Sequence, residues 1–198
     1  MIVPTHTNYY VKVFDNVLEK KFCQKIITRI NKNDVNWLTH NWNVGYDKET
    51  GENLPNQSIH DQELSIVTIE TKEARLLTDN LWEVIRRYYD EVLEGFTWYT
   101  GWEGYSHVRF NKYDVNTKMS KHCDHIKTLF TGNRRGIPVL TVLGALNDNY
   151  EGGNLIIGND EVILKTGSVV IFPSNFMYPH EVQLVTKGTR YSFVSWVY

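Results

Sequence analysis

The sequence predicts a mainly β protein with flanking helices, its strands closing into a jelly roll or barrel. Three observations carry that expectation. The chain up to about residue 95 holds two amphipathic helical stripes. The remainder is dense in Val, Ile, Tyr, Phe and Thr, broken by Gly, Asn and Pro. About eight short strands fit in that span, and closing them over one core removes exposed edges.

In the first helix Leu18, Phe22, Ile26, Ile27 and Ile30 recur at spacings of three and four among Glu and Lys residues. The second runs from about Lys72 to Leu93, with Thr71 as its N-cap and Leu77, Leu81, Ile85, Tyr88 and Val92 as its buried stripe. Between them the segment 40–61 is rich in Asn, Gly and Asp and long for a connection, which suits a lid or a surface insertion. Strands are expected over 105–113, 119–125, 138–146, 154–157, 161–164, 168–172, 181–185 and 189–197. No internal repeat supports a solenoid. The whole range 1–198 reads as one domain, with helical support over about 1–95 and a β core over about 96–198.

Composition sets bounds on function. A chain of 198 residues with 41% hydrophobic content can build one substantial core. Its net charge of −2 provides no cationic field for nucleic acid or for an anionic membrane. Cys23 and Cys123 lack the spacing of a disulfide framework. The segment 1–6 lacks the basic and apolar regions of a signal peptide, and no stretch is long enough to cross a bilayer. These features predict a soluble, intracellular, cytoplasmic protein.

The chemistry begins at His122 and Asp124. Side chains on a strand repeat every second residue, so both point to one face while Cys123 points away. His180 arrives later, beside Pro179 at the start of another predicted strand, and a barrel can bring the two segments together. Two imidazoles and one carboxylate on one side of a metal suit iron(II) with open positions opposite, whereas a structural zinc site would want four closed ligands. His125, at odd spacing from Asp124, points to the other face. Arg190 and Ser192 share a face of the last strand, and a guanidinium inside an apolar barrel needs an anion, which a small dicarboxylate would supply.

Together these residues resemble the 2-oxoglutarate- and iron(II)-dependent oxygenases, and within them the prolyl 4-hydroxylase-like branch. The resemblance covers most of the chain. It includes the phrase from Val13 to Leu18, Tyr113 ahead of the His-x-Asp pair, the run from Leu143 to Gly153 ending in Gly-Gly, and the run from Gly167 to Pro173 before His180. The run from Lys187 to Ser192, with Trp196 beyond, is the most specific match after the triad. It implies a double-stranded β-helix, with His122, Asp124 and His180 as iron ligands and Arg190 as the partner of the distal carboxylate of 2-oxoglutarate. Ser192 and Tyr113 would assist in holding that cosubstrate. Where the family often has a tyrosine before Leu-Asn this chain has Gly144 and Ala145, and Thr141 is the substitute contact. Arginine rather than lysine at position 190 is similar to bacterial, viral or oxygen-sensor-like relatives.

The resemblance implies hydroxylation of a C–H bond with Fe(II), 2-oxoglutarate and O2, with ascorbate as an auxiliary. A peptidyl proline is the first choice of substrate, held between the segment 40–61 and a loop carrying Lys127, Arg134 and Arg135. For those three bases a solvated loop is the bland alternative. A nucleic-acid demethylase is the rival enzyme, but that branch carries a second arginine where Trp196 stands. A non-catalytic jelly-roll module that merely retains a metal is the third reading, and it leaves Arg190 without a purpose. Trp98, Trp102 and Tyr105 receive no role, because aromatic residues in such strands are more often core.

Overall fold

The computed structural model describes residues 7–41, 43–46, 53–55, 62–93, 103–124 and 138–198. Among them the strands form two facing sheets and two small ribbons. The larger sheet runs, in spatial order, β1 (Lys12–Phe14), β12 (Val169–Pro173), β8 (Leu140–Ala145), β15 (Arg190–Val197), β6 (Arg109–Tyr113), β5 (Ser65–Val67) and β2 (Leu38–Thr39). The smaller runs β11 (Asp160–Val162), β10 (Leu155–Ile157), β13 (His180–Val182) and β7 (Met119–His122). The ribbons pair β14 (Val185–Lys187) with β9 (Glu151–Gly152), and β3 (Asn43–Tyr46) with β4 (Asn53–Pro55). The pairings within each sheet and ribbon are antiparallel, as the expected double-stranded β-helix requires.

Both helices form where the apolar stripes lie. In α1 (Lys20–Ile30) Cys23, Ile26 and Ile30 are buried, and Arg29 in the last turn complements the helix dipole. In α2 (Lys72–Val92) the Thr71 hydroxyl accepts from the Ala74 amide at 3.2 Å, and Leu77, Leu81, Ile85, Tyr88 and Val92 are all buried. These stripes meet Phe110, Val142, Val169, Ile171, Phe193 and Val197 on the outer face of the larger sheet. The opposite face carries Tyr113, Leu143, Ala145, Val170 and Phe172, which pack with Leu155, Ile157 and Val182 of the smaller sheet. Alternation along each strand thus feeds two cores, one under the helices and one inside the β-helix.

Several expected boundaries shift for local reasons. The strand expected over 181–185 is two: β13 belongs to the smaller sheet and β14 to a ribbon, with Gln183 and Leu184 exposed where the chain passes between them. The strand expected from 105 starts at Arg109, because the Ser106 hydroxyl accepts from the Trp196 amide and takes the place of a ladder bond. The first part of the chain, expected as helical support, also lends β1, β5 and β2 to the larger sheet. Most of the expected lid, and the whole of its proposed partner loop with Lys127, Arg134 and Arg135, lie outside the described residues, as do Trp98, Trp102 and His125.

Two glycines are fixed by space. A Cβ on Gly144 would sit 2.1 Å from the Phe193 ring, so the position beside Ala145 is glycine because a core aromatic fills it. Gly153 has a φ of +62°, and a Cβ there would lie 3.2 Å from Cδ of Arg190, so the Gly-Gly turn lets the chain close over that side chain.

Candidate active site

His122 on β7 and His180 on β13 face each other as register partners, with ring centroids 4.3 Å apart. Asp124, two residues beyond His122, turns back to the same side. Its Oδ1 lies 3.3 Å from His122 Nε2 and its Oδ2 lies 3.7 Å from His180 Nε2. One donor atom from each residue falls within 4.8 Å of the others. Donors around one ion are separated by about 3 Å when metal–ligand bonds are near 2.1 Å, so a small contraction brings the three together. The donor set fits a metal ion, and it leaves one side open.

Both imidazoles are held in the orientation that ligation through Nε2 needs. His122 Nδ1 lies 2.8 Å from the Ser120 carbonyl and His180 Nδ1 lies 3.2 Å from the Tyr178 carbonyl. A carbonyl can only accept, so each Nδ1 donates to it, and Nε2 is the ring nitrogen left facing Asp124. Burial pushes His180 towards the neutral form, against the pull of Asp124. For Asp124 burial acts the other way, but hydrogen bonds and charge from His122, His180 and Thr141 hold its carboxyl well below the usual carboxylate range.

Thr141, expected to touch the cosubstrate, is turned to Asp124 in the structure. Its hydroxyl donates to Asp124 Oδ2 at 2.7 Å, and its oxygen lies 2.8 Å from Ser174 Oγ. A threonine has one hydroxyl proton, so Ser174 must donate to Thr141. Behind His122 lies a second buried group: Ser120 donates to Glu63 Oε1 at 3.3 Å, and Glu63 Oε2 lies 3.3 Å from His40 Nδ1.

Arg190 is only 1% exposed. Its Nη1 donates to Ser192 Oγ at 3.0 Å and its Nε to the Tyr150 hydroxyl at 3.2 Å, while Tyr113, its register partner, stacks 4.9 Å below Cζ. No carboxylate of the described residues is within ion-pair distance of it. Burial raises the Tyr113 phenol pKa, opposed by Arg190, Arg109 and the Ser192 hydroxyl. The structure thus gathers Arg190, Ser192 and Tyr113 as expected, and adds Tyr150, Ser174 and Arg109, which the sequence reading missed. Period two along β6 places Arg109 on the face of Tyr113 and was the available signal. Tyr150 had only a place in the Gly-Gly turn motif.

Residues 108–198 match the family model of the 2OG-Fe(II) oxygenase superfamily. A PKHD-type hydroxylase of Acinetobacter baumannii is 37% identical over 95 residues, covering 44% of this chain and 41% of that protein. Another, from Crocosphaera subtropica, is 34% identical over 97 residues, covering 46% and 42%. The chain thus spans about two-fifths of the length of the curated relatives it matches, at 41% and 42%. Among solved structures, a Pseudomonas putida prolyl-4-hydroxylase superposes with a TM-score of 0.64 at 17% identity, covering 98% of this chain and 92% of the other. A prolyl hydroxylase of Trichoplax adhaerens, solved with a hypoxia inducible factor oxygen degradation domain peptide fragment, gives 0.68 at 18%, covering 96% and 84%.

The fold is a double-stranded β-helix similar to that of prolyl hydroxylases. Its C-terminal part, residues 108–198, resembles the 2OG-Fe(II) oxygenase superfamily. No helix of the described residues is long and apolar enough to cross a membrane.

Proposed function

We propose that this protein is a 2-oxoglutarate- and Fe(II)-dependent dioxygenase that hydroxylates a C–H bond, most simply that of a peptidyl proline. The observation that carries this reading is a buried Arg190, without a carboxylate partner among the described residues, in the same β-helix as the clustered His122, Asp124 and His180 donors. A lone guanidinium in such a place is costly unless an anion enters. The peptide substrate is supported by the fold-level likeness to prolyl hydroxylases, one of them solved with a peptide.

In this reading His122, Asp124 and His180 hold the iron, and Thr141 and Ser174 orient Asp124. Bound iron supplies the oxidising chemistry, with O2 and 2-oxoglutarate as cosubstrates and ascorbate as an auxiliary reductant. Arg190 binds the far carboxylate of 2-oxoglutarate, with Ser192 and Tyr150 holding the guanidinium in its plane and Tyr113 forming the floor beneath it. Leu143, Phe172 and Val182 belong to the apolar core inside the β-helix, which also contains Tyr113. No protein nucleophile is required.

The single-domain reading of 1–198 is supported by the way β1, β2 and β5 join the sheet that carries Arg190. A cytoplasmic location is supported by Cys23 and Cys123 both being free thiols. The decisive experiment adds Fe(II) and 2-oxoglutarate without oxygen and records the visible charge-transfer band of the chelate. The band is expected in the wild type and lost in His122→Ala, Asp124→Ala and His180→Ala. Full substrate-dependent succinate production by any of those variants would overturn the ligand assignment.

A further inference from the structure

We propose that Arg109 and Trp196 form a second anion subsite, on the inward sheet face beside the metal donors, which takes a carboxylate carried by the substrate. This deepens the oxygenase reading and rests on it. Arg109 shares the inward face of β6 with Asn111 and Tyr113, and by register it lies opposite Val194 on β15. Two residues further on is Trp196, whose own partner across the ladder is Thr141, the residue bonded to Asp124. Arg190 is four residues back from Val194, about 13 Å along the strand. The two guanidiniums therefore stand well apart along the inward face of one sheet.

Arg109 is built as a held but unfilled cation. Its Nε donates to Asn111 Oδ1 at 3.2 Å, and its Cζ lies 5.0 Å over the Trp196 ring. These contacts fix the plane of the guanidinium. Its two Nη groups have no acceptor among the described residues, and no carboxylate there is within ion-pair distance of it. Beneath it, Trp196 Nε1 is a buried donor with no acceptor. Two neighbouring donor groups lacking acceptors are expensive in a half-buried site, and an arriving oxyanion offsets that cost. Asp124 acts on Arg109 through its charge, which in the oxygenase reading a bound metal would take up.

The free edge presents parallel N–H groups, the geometry that meets a planar carboxylate through two oxygens. A phosphodiester chain is less well matched, because it calls for several bases along a groove and the net charge is −2. The carboxylate has two possible sources of the same chemistry: an acidic side chain beside the target residue in a peptide, or the α-carboxylate of a free amino acid.

The test uses the full chain loaded with Mn(II) and 2-oxoglutarate, and reads binding by calorimetry. The probes are an acetylated and amidated Ala-Pro-Glu-Ala peptide, its Gln isostere, and free L-proline. Wild type is expected to bind the Glu peptide or free proline about tenfold more tightly than the Gln peptide. Arg109→Gln should erase that preference while leaving 2-oxoglutarate affinity unchanged, and Arg109→Lys should keep part of it, which separates recognition from misfolding. Preference for the Glu peptide identifies a side-chain carboxylate, and preference for free proline an α-carboxylate; both support the subsite. No preference in wild type, no binding of any probe at millimolar concentration, or a preference kept in Arg109→Gln overturns it. A loss of 2-oxoglutarate binding in Arg109→Gln also overturns it, by making Arg109 a cosubstrate contact. Failure of wild type to bind Mn(II) and 2-oxoglutarate at all overturns the oxygenase reading and the subsite with it.

Discussion

His122 and His180 are 58 positions apart in the chain yet directly opposed across one ladder, with 4.3 Å between their ring centroids. The backbone pairing of β7 with β13 therefore sets the spacing of two donors before any metal arrives. Asp124 completes the set from beyond the end of β7, where no ladder holds it, and depends on its side-chain partners instead.

That dependence makes Thr141→Val informative. The variant keeps shape and volume but removes the hydroxyl that donates to Asp124 and accepts from Ser174. Metal affinity should fall about 10- to 100-fold, the usual cost of losing an outer partner of a ligand. Calorimetric titration with Fe(II) under anaerobic conditions measures it, and an unchanged affinity would mean that Asp124 needs no such support.

Arg190→Met separates folding from binding. Replacing a buried cation that has no carboxylate partner should leave the unliganded protein as stable as wild type or slightly more stable. The rise in Tm on adding Mn(II) with 2-oxoglutarate should vanish, whereas wild type gains about 2.7 kcal/mol at a hundredfold excess over Kd. A melting series with and without 2-oxoglutarate decides it; an undiminished ligand shift would remove Arg190 from the cosubstrate site.

Gly144→Ala places a methyl group into the Phe193 ring, at 2.1 Å from its Cζ. Because that ring belongs to the core under the helices and not to the cavity, the expected result is a loss of about 1–3 kcal/mol in stability. Urea denaturation gives the loss, and 2-oxoglutarate affinity measured well below the melting temperature should stay near that of wild type.

Stability of the metal-free protein should decline in acid in two stages. Folding lowers the pKa of His180, so its contribution is present above the unfolded value of 6.5 and is lost as pH falls through the folded one. Asp124 is also lowered, so its contribution is present above 3.8 and is lost only at lower pH. Urea midpoints between pH 8 and pH 3 measure both (roughly the span of the two ordinary values). His180→Gln should flatten the upper stage and, by removing a charge that lowers Asp124, weaken the lower one; a profile identical to wild type would assign the upper stage elsewhere.

The fold was legible where patterns were long. The period of 3.6 through Leu77, Leu81, Ile85, Tyr88 and Val92 marks α2 together with its cap at Thr71, and alternation marks Arg190, Ser192 and the strand that holds them. What could not be read was short or non-local. The strands Lys12–Phe14, Leu38–Thr39 and Ser65–Val67 span too few residues to display a period, and they exist because the larger sheet offers them an edge. In the site, the metal donors followed from spacing within a strand and a resemblance. Thr141 did not, because its face was readable but the carboxylate it meets comes from another segment 17 positions away. Tyr150 escaped for the same reason, as its bond to Arg190 spans 40 positions.

The hydrogen bond from Thr141 to Asp124 also joins two sheets, since Thr141 stands on β8 of the larger one while His122 and His180 stand on the smaller. An ion gripped by the three donors is thereby riveted to both layers. In the proposed reading the ion does more than supply chemistry: a metal-free molecule lacks a fastening between its layers, and limited proteolysis should cut it faster than its metal-loaded counterpart.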